Sequence, residues 1–228
     1  MNFICSPSLV LYLPLHELDG SSFMSRDAYG HLCTVTGALW RLDGHYFDGS
    51  DDRITIANHS VINPTAHFTI ELWAYLDPLA PVLDGTNCYL FDSGNYSTEG
   101  FMLMWDDRGI GGVGINTVVF NMRGTSNYSS AKAPNNTCSV AKWYHLVGTY
   151  DKDAGGTEEH QIYIDAVKQR TADFSETLTT TSLDAVLGMN HGGSSHFGGR
   201  VGEFRFYSRA LTPLEIQHNY LATKWRYR

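Results

Sequence analysis

The chain has 228 residues, 43% of them hydrophobic and 13% aromatic, which suffices for the core of one all-β sandwich. Only 18% are charged and no low-complexity tract appears, which excludes a disordered chain. The net charge is −8 and the basic residues are scattered, apart from a short tail of Lys224, Arg226 and Arg228, which argues against nucleic acid as a partner; no apolar run reaches the roughly 20 residues that membrane insertion requires.

In chain order, Leu9–Leu13 reads as a first strand and not as a signal sequence, because no basic segment precedes it and Pro14 interrupts it. The chain is therefore expected to enter its fold almost at once. Short apolar or alternating segments follow: His31–Val35, His45–Phe47, Arg53–Ile56, His67–Leu76, Cys88–Asp92, Phe101–Trp105, Gly112–Phe120, Trp143–Asp151, Gln161–Asp165, Ala185–Gly188 and Val201–Tyr207. Asp-Gly and Gly-Gly pairs punctuate them, a pattern that favours a sandwich. In HFTIELWAYL, Phe68, Ile70, Leu72 and Ala74 share one face, and Thr69, Glu71, Trp73 and Tyr75 the other. Both faces are bulky, so this strand is central, with its second face on a concave or partly covered surface. One helix is expected, in RALTPLEIQHNYLA. Thr212 caps it, Pro213 opens it, Glu215 completes a capping box, Leu211 and Ile216 form a hydrophobic staple, and Ile216, Tyr220 and Leu221 supply an apolar stripe. With no linker and no internal repeat, residues 1–228 read as one domain.

Cys5, Cys33, Cys88 and Cys138 are far apart with no C-x-x-C pair, which argues against zinc. Two disulfides remain open as an alternative to the favoured buried thiols. Asn58, Asn95, Asn127 and Asn135 begin Asn-x-Ser/Thr sequons, which matter only in a eukaryotic secretory pathway.

Five stretches in order carry a resemblance: LVLYLPLHE; GALW with YFDGSDDRI; FTIELWAYLDP; WYHLVGTYD with HQIYIDA; and FGGRVGEFRFYSRALTPLEIQHNY. Together they resemble the laminin G-like, concanavalin A-like lectin/glucanase superfamily, from about Leu9 to Thr223. The resemblance implies an all-β jelly roll of two antiparallel sheets, a short C-terminal helix, a concave face, and edge loops that often hold calcium or ligand. Three positions depart from the pattern. Gly202 stands where an acidic residue usually precedes the Glu of the closing strand. Asp165-Ala166 replaces the usual Asp-Gly, so this turn is expected to be of another type or longer. Residues 86–137 match weakly, and specificity is expected there.

The stretch HYFDGSDDRITI crowds Asp48, Asp51 and Asp52 into five positions. It is either a plain turn between strands or a Ca2+ site that recruits further oxygens from Glu17, Asp19 or Glu203. A glycosidase would need two carboxyls across one bond. No such acidic run exists, and Glu71 is the lone acid of the central strand. HGGSSHFGG (His191–Gly199) reads as a turn more readily than as a histidine pair. Sugar binding calls for aromatic platforms beside amides and carboxylates. Tyr96, Glu99, Trp105, Asp106, Asp107, Arg108 and Tyr128 offer that mixture, with Trp105 as core the competing reading.

These features point to a non-catalytic recognition or attachment module on an external surface, extracellular or on a virion, binding a glycan or cell-surface polysaccharide. A virus or phage particle is the expected setting, with capsid or tail proteins as further partners and a homo-oligomer as one form. The rival readings are a purely structural virion decoration or tail protein and, less favoured, a glycoside hydrolase.

Overall fold

A computed structural model describes residues 6–78, 88–95, 99–106, 116–124 and 126–228. The expected all-β sandwich is present, as two antiparallel eight-stranded sheets facing each other. The strands are β1 (Leu9–Pro14), β2 (Ser22–Met24), β3 (Leu32–Thr36), β4 (Leu39–Arg41), β5 (Gly44–Asp48), β6 (Arg53–Ile56), β7 (His67–Leu76) and β8 (Cys88–Asp92). They continue as β9 (Gly100–Asp106), β10 (Thr117–Arg123), β11 (Tyr128–Lys132), β12 (Trp143–Asp151), β13 (His160–Ile164), β14 (Val167–Ala172), β15 (Ala185–Leu187) and β16 (Gly198–Tyr207), followed by helix α1 (Pro213–Thr223). Sheet A runs β14-β13-β12-β7-β16-β5-β4, with β1 also paired to β16; sheet B runs β11-β10-β9-β8-β15-β6-β3-β2.

The strand segments read from the sequence fall where expected, β6, β7, β8 and β12 without shift. The segment expected from Gly112 appears as β10 and runs on to Arg123, residues 107–115 lying outside the described residues. The core lies between the sheets. Phe68 of β7 meets Phe101 of β9 at 4.1 Å between ring centroids and stacks on Phe206 of β16 at 5.5 Å. Phe91 of β8 stacks on Phe204 at 4.9 Å. A glycine sits inside β12 because a Cβ on Gly148 would stand 2.8 Å from the Phe120 ring. Cys33 and Cys138 are buried thiols, and burial pushes both up to about 12.

The second face of the central strand is covered over Thr69, Glu71 and Trp73, while Tyr75 stays half-buried. α1 and the residues after it lie across sheet A, where Tyr227 stacks on Trp73 at 4.6 Å and Trp73 Nε1 donates to Thr223 Oγ1 at 2.9 Å. The capping box forms as expected, Thr212 and Glu215 each bonding the other's backbone. The apolar stripe does not. The buried helix residues are Ile216, Asn219 and Thr223, while Leu221 is 50% exposed. The reason is the face beneath, which is polar, so the helix meets it with an amide and a hydroxyl.

The Asp165-Ala166 turn corrects the expectation of a longer or different turn. Ile164 pairs directly with Val167, leaving a two-residue loop with φ of 50° at Asp165 and 63° at Ala166, the positive-φ pair of a tight hairpin. Asp165 compensates by accepting from His145 N at 3.0 Å through its carboxylate and donating its own N–H to His145 O at 2.8 Å.

Candidate functional site

The acidic loop between β5 and β6 does bring its carboxylates together. Asp48, Asp51 and Asp52 each place an oxygen within 4.8 Å of the others. The loop is also a structural turn. Ser50 N donates to Asp48 Oδ1, and Asp48 N donates to Asp52 Oδ2, both at 2.8 Å. Asp52 is buried, and its pKa is raised by burial first and then by Asp48 and Asp51, against the opposing Asp48 amide. Its Oδ1 lies 1.8 Å from where a Cβ on Gly37 would sit, so Gly37 makes room for the carboxylate.

The proposed helpers do not join this group. Asp19 accepts from Gly20 N at 2.7 Å, and Glu17 faces His16 at 3.4 Å. Glu203 is the clearest correction. It is buried, accepts from Arg205 Nη2 at 2.5 Å and pairs with Arg226, so its oxygens are already occupied. Gly202 beside it has no side chain because the Tyr227 ring lies 2.3 Å from the Cβ position.

Glu71 of β7 lies at the centre of the covered face. It accepts from Arg205 Nη1 at 2.9 Å and Asn219 Nδ2 at 2.7 Å, and bonds His145 Nε2 at 3.0 Å. Burial alone would raise its pKa, but Arg205, His145 and Asn219 more than offset that and lower it. A fixed anion held by three partners beneath a helix cannot reach a substrate.

A second cluster went unnoticed in the sequence. His67 Nδ1 lies 3.0 Å from Asp151 Oδ1, and its Nε2 lies 3.5 Å from Asp153 Oδ2. The only signal is register, since His67 opposes Asp151 where β7 meets β12. One ligand atom from each of the three lies within 4.8 Å of the others, at a partly exposed strand end.

The expected sugar-binding residues divide. Tyr96, Asp107 and Arg108 lie outside the described residues. Trp105 belongs to the core, fully buried and edge-on to Tyr144 at 5.8 Å, because Phe101, Leu103 and Trp105 are the inward residues of β9. It offers no face to a sugar. Asp106 pairs with Lys132 at 3.0 Å at the far end of β9. Tyr128, 58% exposed, stands opposite Arg123, which in turn opposes Gly100 next to Glu99. Six residues of strand, about 20 Å, separate this end from Asp106, so the described members Glu99, Asp106 and Tyr128 do not converge on one ligand.

The same outer face of sheet B does carry a cleft further along, where Val186 of β15 and Thr55 of β6 are register neighbours. It measures about 520 Å³ and is walled by Arg53, Asp184, Met189, Asn190 and His191. The turn after β15 forms the wall. Asn190 Oδ1 accepts from Ser194 N at 2.9 Å, and His191 N donates to Asp92 Oδ2 at 3.1 Å, tying the turn to β8. Burial pushes Asp92 up to about 7 despite the amides of Gly94 and His191. His191 Nε2 is buried without a hydrogen-bond partner, and burial lowers the pKa of the ring against the opposing Asp184. Apolar Leu183, Val186 and Met189 beside polar Arg53, Thr55, Asp184 and His191 are a mixture that a small-molecule site can use. The histidine turn was visible in the sequence, but its alignment with Arg53 and Thr55 depends on pairing across 130 residues.

Two antiparallel sheets around one aromatic core, with edge loops and a single closing helix, define a lectin-type jelly roll. Residues 48–217 match the family described as the concanavalin A-like lectin/glucanases superfamily, of laminin G type, and the chain belongs to it. No curated protein sequence matches the chain. Among solved structures, the binding domain of botulinum neurotoxin serotype G is similar, with a TM-score of 0.70 and 13% identity over 94% of this chain and 51% of that one. The ligand-binding domain of serotype D, solved in complex with N-acetylneuraminic acid, gives 0.71 and 12% over 94% and 51%. A Trypanosoma rangeli sialidase gives 0.64 and 17% over 98% and 34%. At such identities the likeness shows the fold alone, and the chain spans about half or less of these structures' lengths.

Proposed function

We propose that this chain is a non-catalytic, lectin-like recognition module that binds a glycan in the cleft over Thr55 and Val186. The observation that carries this reading is the cleft itself. Leu183, Val186 and Met189 offer apolar surface to the carbon face of a sugar ring, and Arg53 and Asp184 offer donors and acceptors for hydroxyl groups. The neurotoxin domain solved with N-acetylneuraminic acid supplies a first probe, and Arg53 supplies a cation for such a carboxylate. The non-catalytic reading is supported by Glu71, which is buried and fully bonded. The proposed setting is an external surface, on a virus or phage particle, where a recognition module would meet host polysaccharide.

Ca2+ at Asp48, Asp51 and Asp52 is a second part of the proposal. The donors are hard oxygens close together, three carboxylates whose charges no cationic side chain in the group offsets. When bound, the ion would neutralise the loop next to Arg53. Millimolar calcium is predicted to raise the melting temperature of the wild type by a few degrees and that of Asp51→Asn much less; equal melting curves with calcium and EDTA would remove the metal.

The test of recognition is a glycan array in calcium and in EDTA, followed by titration of the best ligand into wild type and Arg53→Ala. Selective binding weakened about tenfold or more by Arg53→Ala supports the reading. An array with no selective binding in either buffer refutes it and shifts weight to a structural role in the particle.

A further inference from the structure

Helix α1 docks on sheet A through a largely polar face and leaves its apolar side chains on the other. At 100° per residue, its buried residues Ile216, Asn219 and Thr223 cluster on one side. Leu214, Leu221 and Trp225, the last in the turn that continues the helix, fall within an arc of about 40° on the opposite side. They are 76%, 50% and 61% exposed. A helix that already has its docking face has no folding reason to present two leucines and a tryptophan to water.

The surroundings indicate what covers this stripe. Lys224 and the exposed Arg228 flank Trp225, and Arg226 lies over the Trp225 ring at 4.8 Å. This is the one basic cluster of an acidic sequence. The carboxylate at the other end, Glu215, is neutralised by Arg209 at 2.6 Å. A second copy of the chain fits poorly. Three side chains present on the order of a few hundred Å², against roughly 800 Å² per partner in a stable dimer. Antiparallel pairing would also set each cationic tail against the positive N-terminal end of the other helix. A groove must wrap around a helix, whereas half of this helix is already occupied by sheet A. A flat, anionic, apolar-cored surface needs only the outer arc.

We propose that the outer face of α1 rests on an anionic lipid surface, with Leu214 and Leu221 at the acyl boundary, Trp225 at headgroup level, and Lys224 and Arg228 against lipid phosphates or carboxylates. The helix lies on the bilayer; with 11 residues it is far too short to cross it. This contact is independent of the glycan cleft, which lies on the other sheet.

The test is flotation of the whole chain with vesicles of phosphatidylcholine alone and with about one third phosphatidylserine. The expected result is binding to the anionic vesicles, falling with added salt, and reduced about tenfold or more in Leu221→Ser and in Trp225→Ser. Both positions are exposed, and unchanged thermal melting of the variants shows that the fold is kept. Lack of binding to either vesicle overturns the proposal, as does binding that ignores lipid charge or survives both substitutions. A concentration-dependent dimer abolished by Leu221→Ser, without vesicle binding, overturns it in favour of a second copy.

Discussion

At the scale of the residue, the loop Asp48–Asp52 shows how much a local sequence conveys. Its carboxylates converge because one tight turn spans them, and a turn is a short-range object. Glu203 was misread because its partners are not local: Arg226 arrives from the far side of α1 and neutralises it. Trp105 stays open between platform and core in the sequence because alternation in β9 assigns faces but not which face is core; it is core. The Asp165-Ala166 turn has its own consequence. Ala166 holds φ of 63° where glycine would be unstrained. Ala166→Gly is therefore predicted to stabilise the chain by about 0.5–1 kcal/mol, the relief of strain exceeding the extra backbone entropy. Chemical denaturation measures this, and a lower midpoint for the glycine variant would refute it.

At the scale of the element, long alternating strands and the capped helix were legible, because period and caps are written in consecutive residues. The three-residue strands β2 and β4 were not, and neither were β14, almost without apolar residues, and β11 in its run of small polar residues. These four strands lie at the sheet edges, where neighbours decide the pairing and the residues themselves say little. In α1 the cap was legible but the buried stripe was not, since Asn219 and Thr223 face inward only because Glu71, Tyr207 and Trp73 await them. The helix start is over-determined. The Arg209 bond, together with Thr212, draws the Glu215 carboxyl down to about 2. Thr212→Ala is predicted to cost about 1 kcal/mol, read from the unfolding midpoint. No change would mean that the Arg209–Glu215 pair holds the terminus alone.

At the scale of the whole molecule, the two outer faces have opposite fates. Sheet A is closed by α1 and the tail over a network of buried charges, whereas sheet B presents the cleft. Closure leaves a pH signature. His160 is buried edge-on to Phe120 at 5.9 Å, neither ring nitrogen has a partner, and burial lowers it to about 4. The folded state resists protonation that the unfolded chain accepts near its ordinary value of 6.5. The contribution is intact above that value and is lost as pH falls toward 4. His160→Phe is predicted to lose less melting temperature between pH 7 and pH 5 than the wild type. An equal loss would place acid sensitivity elsewhere, for instance at His45, whose pKa burial also lowers.

Glycan recognition in the cleft of sheet B is tested most directly by filling that cleft. Thr55 points into it from β6 and is half-buried, so Thr55→Tyr occupies the space without touching the core. The measurement is a glycan array of wild type beside Thr55→Tyr at matched thermal stability. A selective set of glycans bound by the wild type and lost from the variant is the predicted result. Binding that the variant retains in full, or its absence in both proteins, would contradict the assignment.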